Sequence, residues 1–134
     1  MRGSLAFGTS VMLGLAFAGP AGASVLPIIG IYGNAPGCLV YATGNVEGDE
    51  GVYLTPDSFS SYGSGCDFET LVSSVDGVVT LSGVCSAEGE PGTTKDTVIV
   101  TGNGVDGYFV TLEGLDPIGP LTLCPVGLPG EVHT

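Results

Sequence analysis

The side chains with catalytic potential in this sequence are one histidine, four cysteines, Lys95 and 14 acidic residues. His133 is the second residue from the C-terminus, where a general base lacks the held geometry that proton transfer requires. Lys95 lies between a predicted loop and a predicted strand, and an exposed amine at such a place is a poor nucleophile. The sequence contains no P-loop, GxSxG, HExxH or CxxC motif. We therefore expect no enzyme and no cofactor.

Several acidic residues cluster in two predicted glycine-rich loops. The clustered residues are Glu47, Asp49, Glu50, Glu88 and Glu90. A glycosidase needs two carboxylates at a set separation across a cleft, and nothing in this spacing indicates such a pair. We expect solvated loop carboxylates, and a carboxylate-based hydrolase is the second alternative function.

Two loops combine acidic or amide side chains with glycine, as oxygen-rich calcium sites also do. They span residues 45–50 and 102–106. Neither loop has the EF-hand spacing, and the second is one imperfect copy of a calcium-binding repeat that works in tandem arrays. The cysteine spacings are too long for a compact zinc site. We therefore expect no bound metal.

Residues 1–23 have the features of a secretory signal peptide. Arg2 supplies the charged region, residues 5–18 form the apolar region, and Ala-Gly-Ala at residues 21–23 is a cleavage site of small residues. The apolar run is shorter than a membrane-spanning helix. We expect cleavage before Ser24, a secreted or periplasmic location, and no membrane attachment of the mature chain.

The formal net charge is −12, and loss of the signal peptide with Arg2 would leave Lys95 alone against the 14 acidic residues. Nucleic-acid binding is excluded as a function class, because no cationic patch can neutralise phosphates. Docking on an anionic membrane surface is disfavoured for the same reason. A charge of this sign would steer a cationic protein toward the chain, although acidic surfaces also serve solubility alone. The partner class that remains is a cationic protein.

Residues 66–85 carry the clearest structural pattern in the sequence. Asp76 and Gly77 separate two apolar, β-branched runs and predict a β-hairpin with a type I′ turn. With Val75 opposite Val78, one face of the hairpin is mostly apolar and the other mostly polar. The apolar face comprises Cys66, Phe68, Thr70, Val72, Ser74, Val79, Leu81, Gly83, Cys85 and Ala87.

The cysteines of an exported chain of this size are expected to form disulfides. In this register Cys66 and Cys85 share the apolar face as diagonal neighbours, and a four-residue loop at residues 74–77 would instead set them directly opposite each other. We therefore pair them, which leaves Cys38 for Cys124. The alternative scheme joins Cys38 to Cys66 and Cys85 to Cys124. Loop closure gives about 8 kcal/mol for the first scheme and about 7.5 kcal/mol for the second. This difference in free energy is too small to distinguish the two pairing schemes. The predicted pairing therefore depends only on the faces of the hairpin on which the cysteines lie.

The rest of the chain after the signal peptide contains further short strands separated by glycine- and proline-rich links. The predicted strands lie at residues 25–32, 38–43, 51–55, 96–101, 107–113 and 121–126, beside the hairpin arms. No amphipathic pattern of 3.6-residue period is present. These features predict one all-β domain over residues 24–134, with a frayed tail at 127–134. We expect a disulfide-stapled antiparallel barrel or two-sheet sandwich of seven or eight short strands, and a Cys38–Cys124 bond favours the barrel.

A polar loop predicted at residues 56–65 has the composition of a binding loop. Phe59 and Tyr62 stand among serines and glycines, and tyrosine gives contact area at a low entropic cost. We predict a binding loop formed by Phe59, Tyr62 and Ser64. In the alternative interpretation, the two aromatic rings belong to the core.

The function predicted from these features is that of an exported, small, acidic β-domain with a non-catalytic binding or structural role. The first alternative is an inhibitor of a cationic extracellular enzyme such as a lysozyme. Gly-Ser-Gly at residues 63–65 is similar to a loop of small, disulfide-bonded β-barrel inhibitors of that kind. The basic and aromatic residues that follow this run in such inhibitors are absent here, because Cys66, Asp67 and Phe68 occupy their places.

Overall fold

Eight antiparallel strands, β1 to β8, close into a barrel in chain order within the part of the protein that the structure describes. The structure, a computed structural model, describes residues 24–45, 48 and 50–125. The predicted signal peptide, Glu47, Asp49 and the predicted tail with His133 lie outside these residues. The strands are Tyr32–Gly33, Tyr53–Leu54, Ser58–Ser61, Ser64–Val75, Val78–Ala87, Thr94–Asn103, Gly107–Leu112 and Ile118–Leu123, and one helix, α1 at Ala35–Thr43, follows β1. The predicted all-β barrel is confirmed, and the sandwich alternative is wrong.

Strands β4 and β5 form the predicted hairpin. Asp76 and Gly77 have φ angles of 51° and 79°, the left-handed values that a type I′ turn requires at both central positions. Val75 lies opposite Val78, as predicted. The Asp-Gly signal was therefore sufficient to locate the turn.

The predicted register fails further along the hairpin because β4 contains two bulges. Pairing skips one residue at Glu69 and another at Val72, so that β4 holds two residues more than β5 over the same length. The cysteines are consequently directly opposite each other rather than diagonal. Cys66 bonds Cys85, and Cys38 bonds Cys124, which confirms both predicted pairings.

The bulges also change which residues of β4 face the barrel interior. Cys66 and Phe68 are buried, whereas every residue from Thr70 to Val75 is exposed. Val72, which the predicted register places on the buried face, is 60% exposed. The distal part of the hairpin therefore extends beyond the core, and we call residues 70–75 the β4 arm.

The core fills the barrel with inward-facing apolar side chains from all eight strands. Its members are Leu26, Tyr32, Leu54, Phe59, Cys66, Phe68, Leu81, Cys85, Val98, Val100, Val110, Leu112 and Leu121. Leu26 comes from the segment before β1, and its N–H donates to the Pro56 carbonyl at 2.8 Å. The segment predicted as a strand over 25–32 thus contributes only its last residue to β1, while its apolar side chains still close one part of the core.

The strand predicted at residues 38–43 is wrong, since these residues form the greater part of α1. Asn34 caps the helix by accepting a hydrogen bond from Gly37 N–H at 2.7 Å, and Pro36 occupies the first turn. Gly44 ends the helix in the left-handed conformation. These caps, rather than an amphipathic pattern, specify the helix. No helix among the described residues has the length and apolar character that crossing a membrane requires.

The polar loop predicted at residues 56–65 is also wrong, because it contains β3 and the start of β4. Ser61 pairs with Ser64 around a two-residue turn, and Phe59 pairs with Cys66. The serines on this hairpin are half-buried, so a serine-rich composition did not indicate a loop here. Strand β8 likewise begins at Ile118 rather than Leu121.

We expect the two disulfides to contribute unequally to stability. They close loops with sequence separations of 86 and 19 residues, and chain entropy then gives about 4.6 and about 3.2 kcal/mol at 25 °C. Urea unfolding of the Cys38→Ser/Cys124→Ser and Cys66→Ser/Cys85→Ser variants should therefore show the larger loss for the first pair. A larger loss for the second pair would contradict this ranking.

Tyr108 should make stability depend on pH in the alkaline range. Burial raises the pKa of Tyr108 above its ordinary value of 10.0, and the Tyr32 phenol adds to the increase; the two rings meet edge to face with centroids 4.8 Å apart. The folded state favours the neutral phenol, so this contribution is complete below the unfolded pKa and is lost as pH rises through the folded pKa. As pH rises above about 10, urea midpoints should fall less in Tyr108→Phe than in the unsubstituted protein. Equal decreases of the urea midpoint in the two proteins would contradict the predicted contribution of Tyr108.

Candidate functional site

A cleft lies between α1, β2 and the β3–β4 turn. Its volume is about 160 Å³, and it is lined by Val40, Gly48, Gly51, Tyr53, Ser60, Ser61, Tyr62 and Gly63. Tyr41, which follows the lining residue Val40 in α1, packs its ring edge-on against Tyr53 with centroids 5.4 Å apart. Tyr41 and Tyr62 are 49% and 60% exposed. The cleft thus combines the exposed Tyr62 ring and the half-buried Tyr53 ring with small residues and hydroxyl groups.

Asn34 fixes the helix wall of the cleft to the chain entering β2. Its Oδ1 accepts from the N–H groups of both Gly37, at 2.7 Å, and Val52, at 3.0 Å. Its Nδ2 donates to the Glu50 carbonyl at 2.7 Å. One amide side chain therefore caps α1 and binds the neighbouring segment at the same time, which sets the distance between the two walls.

Gly37 allows the close contact of α1 with this segment. Gly37 is buried, and a Cβ atom at this position would overlap the backbone of Val52. The absence of a side chain brings Val40, one turn further along the helix, beside Gly51. The helix thereby covers β2 and forms the apolar side of the cleft.

The opposite wall is the turn between β3 and β4. Gly63 takes the left-handed conformation with φ 73°, and its carbonyl accepts from the Glu88 N–H. The Ser61 and Ser64 hydroxyls hydrogen bond across the turn at 2.9 Å. The Glu88 carboxylate packs on Gly63, so a negative charge lies beside the cleft.

The three residues predicted as a binding loop have different environments. Phe59 is 1% exposed and belongs to the core, as the alternative interpretation held. Tyr62 lines the cleft and is exposed, whereas Ser64 is half-buried and its hydroxyl hydrogen bonds that of Ser61. Of the three residues, only Tyr62 therefore lines the cleft.

Tyr41 and Tyr53 were missed by the sequence analysis. Tyr41 was assigned to a strand, and no local pattern connects a residue of α1 with one of β2. Two of the five tyrosines, Tyr53 and Tyr62, line the cleft, and Tyr41 packs against Tyr53.

The other candidate residues take structural or surface positions. Lys95 donates to Glu69 at 2.8 Å in an exposed ion pair. In the loop predicted as a partial calcium repeat, Asn103 Oδ1 accepts from the Val105 and Asp106 N–H groups and closes the β6–β7 turn. Across the described residues, no three His, Cys, Asp or Glu side chains are grouped for metal binding.

Comparison of this chain with protein-family models, with curated proteins and with solved structures finds no match. The function is therefore inferred from the residues of the chain itself. The fold, a small disulfide-bonded barrel, is compatible with many functions. The function is therefore inferred from the cleft and from the charge distribution.

Gly37→Ala should separate α1 from the barrel and destroy the cleft. Overlap with backbone atoms cannot be relieved by a rotamer change, so we expect a loss of about 2 kcal/mol or more in urea unfolding. The near-ultraviolet circular dichroism of the Tyr41–Tyr53 contact should fall as well.

The matched control is Gly44→Ala, where a Cβ atom meets nothing within 4 Å. Its left-handed φ should cost about 1 kcal/mol, with the tyrosine signal unchanged. Equal effects of the two substitutions on that signal would show that α1 is not seated through Gly37.

Proposed function

We propose that this protein is an exported, non-catalytic binding module that holds a basic protein at the cleft lined by Tyr53 and Tyr62. The single observation that carries the proposal is the cleft itself, in which the exposed Tyr62 ring and the half-buried Tyr53 ring lie on a covalently crosslinked barrel. Tyrosine supplies large contact area with few rotatable bonds, and small polar neighbours adapt to the partner. The features of residues 1–23 and the two disulfides support export.

Charge supports a basic partner over a neutral or acidic one. The chain has a formal net charge of −12, and Glu88 packs directly against the cleft at Gly63. Lys95, the only lysine of the chain, lies in an ion pair with Glu69. An acidic surface raises the association rate of a cationic protein, and contacts at the cleft then determine how long it stays.

The state of the cysteines supports a non-catalytic role. All four cysteines are in disulfides, and a cysteine nucleophile requires a free thiolate. The hydroxyl of Ser61, which lines the cleft, hydrogen bonds the Ser64 hydroxyl across the β3–β4 turn. Nucleophilic serine catalysis needs an adjacent base, and no histidine is among the residues that the structure describes.

The binding function is tested by titrating the immobilised mature protein with basic extracellular proteins, a lysozyme among them, and with acidic proteins of similar size. We expect at least one basic protein to bind at about 10 mM salt and to bind more weakly at about 150 mM, where the Debye length is about 8 Å. Tyr62→Ala should weaken binding at least about tenfold, since tyrosines at interface centres are common hot spots.

Leu115→Ala is the matched control, because Leu115 is also exposed but lies in the loop after β7, away from the cleft-lining residues. It should bind like the unsubstituted protein. Absence of binding to every basic protein at low salt would refute the proposal, and so would binding that Tyr62→Ala leaves intact. Glycoside hydrolysis that Glu88→Gln abolishes would favour the hydrolase alternative.

A further inference from the structure

Among the residues that the structure describes, no strand lies beside one edge of β4 over half of its length. Pairing with β3 ends at Ser58 and Asp67, and the last bond on that side runs from the Phe68 N–H to the Asp57 carbonyl at 2.9 Å. Beyond this point the β4 arm, residues 70–75, pairs with β5 alone among the described residues. Its outer backbone groups are therefore free to pair with another chain.

The β4 arm lacks most of the features that prevent an edge strand from pairing with another chain. Natural edge strands carry lysine, proline or inward-pointing charge to prevent it, and residues 70–75 contain none of these. Val72 and Val75 are about 60% exposed instead. The bulges at Glu69 and Val72 bend the edge, but residues 73–75 pair in regular register with β5. The arm thus offers a strand edge together with exposed apolar side chains.

Charges at the two ends of the arm select the kind of partner. Glu69 precedes it and Asp76 follows it. If two copies paired their arms antiparallel over residues 70–75, Glu69 of each copy would lie opposite Asp76 of the other. Like charges directly opposite each other destabilise a strand pair, and the net charge of −12 on each copy adds to the repulsion. The arm therefore disfavours a second copy and favours a strand with basic ends.

We infer that the outer edge of the β4 arm binds an extended segment of a basic protein, which adds to the barrel sheet as a further strand. Its main chain pairs with residues 70–75, and lysine or arginine residues at its ends meet Glu69 and Asp76. The exposed Lys95–Glu69 pair is of a kind that contributes little to stability, so a partner cation can replace Lys95. The arm lies at the opposite end of β4 from the cleft, and this surface is independent of the proposed cleft function.

The test uses a synthetic peptide with an alternating threonine–valine core flanked by two lysines at each end, and a matched peptide flanked by glutamates. Amide hydrogen exchange of the mature protein is followed by NMR with each peptide. The lysine-flanked peptide should slow exchange within residues 70–75 at least about tenfold, whereas the glutamate-flanked peptide should leave it unchanged.

Val72→Lys should weaken binding of the lysine-flanked peptide at least about tenfold, because it places a repelling charge on the edge. Val105→Lys makes the same charge change at a residue that is 90% exposed in the β6–β7 turn, and it should bind normally. Tyr62→Ala should also bind the lysine-flanked peptide normally. This variant therefore distinguishes a loss of binding at the β4 arm from a loss of binding at the cleft.

Three outcomes would overturn the inference. The first is slow exchange, in the protein alone and independent of its concentration, of those amides of residues 70–75 that do not bond to β5, which would mean that another part of the chain covers the edge. The second is slow exchange that grows with protein concentration in the absence of peptide, which would identify a second copy as the partner. The third is peptide protection that falls on the cleft instead of the arm.

Discussion

Closure of the barrel depends on the two residues of β1. Tyr32 pairs with Leu54 of β2 on one side and with Leu123 of β8 on the other, and Gly33 pairs in the same way with both neighbours. So short a strand supplies few hydrogen bonds, and the Cys38–Cys124 disulfide reinforces the same junction from α1 to the end of β8. If this junction opened, the sheet would expose two edges and part of its core to water.

The second disulfide has a different role, because it lies between the two surfaces that we propose for binding. Cys66 is two residues into β4, close to the turn that carries Tyr62, and its bond to Cys85 fixes β4 to β5 before the bulges begin. The cleft and the β4 arm are thus held by one rigid crosslink on a strand that they share. A small barrel with a limited core gains from such crosslinks outside the cell, and precise placement of loops on a rigid scaffold favours binding.

The parts of the fold that were predictable are those set by local signals. Alternation and the Asp76-Gly77 turn located the central hairpin, and the shared face of Cys66 and Cys85 gave the disulfide pairing. The bulges at Glu69 and Val72 were not predictable, because neither residue type marks a bulge. Helix α1 was missed since its nine residues have little periodicity, and the contact that seats it, between Gly37 and Val52, joins residues that are distant in sequence. The same non-local contact creates the cleft, so only Tyr62 among its rings was identified from sequence.

Acidity and the unguarded edge are best understood together. An exposed, apolar strand edge without lysine or proline is ordinarily an aggregation hazard. Here the carboxylates distributed over the surface make every approach of one copy to another repulsive, and Glu69 and Asp76 place that repulsion at the ends of the arm itself. In our proposal, negative charge takes the place of lysine and proline at this edge, because it repels acidic chains and attracts basic ones. The edge would then stay available for pairing, with its partner restricted by charge rather than by shape.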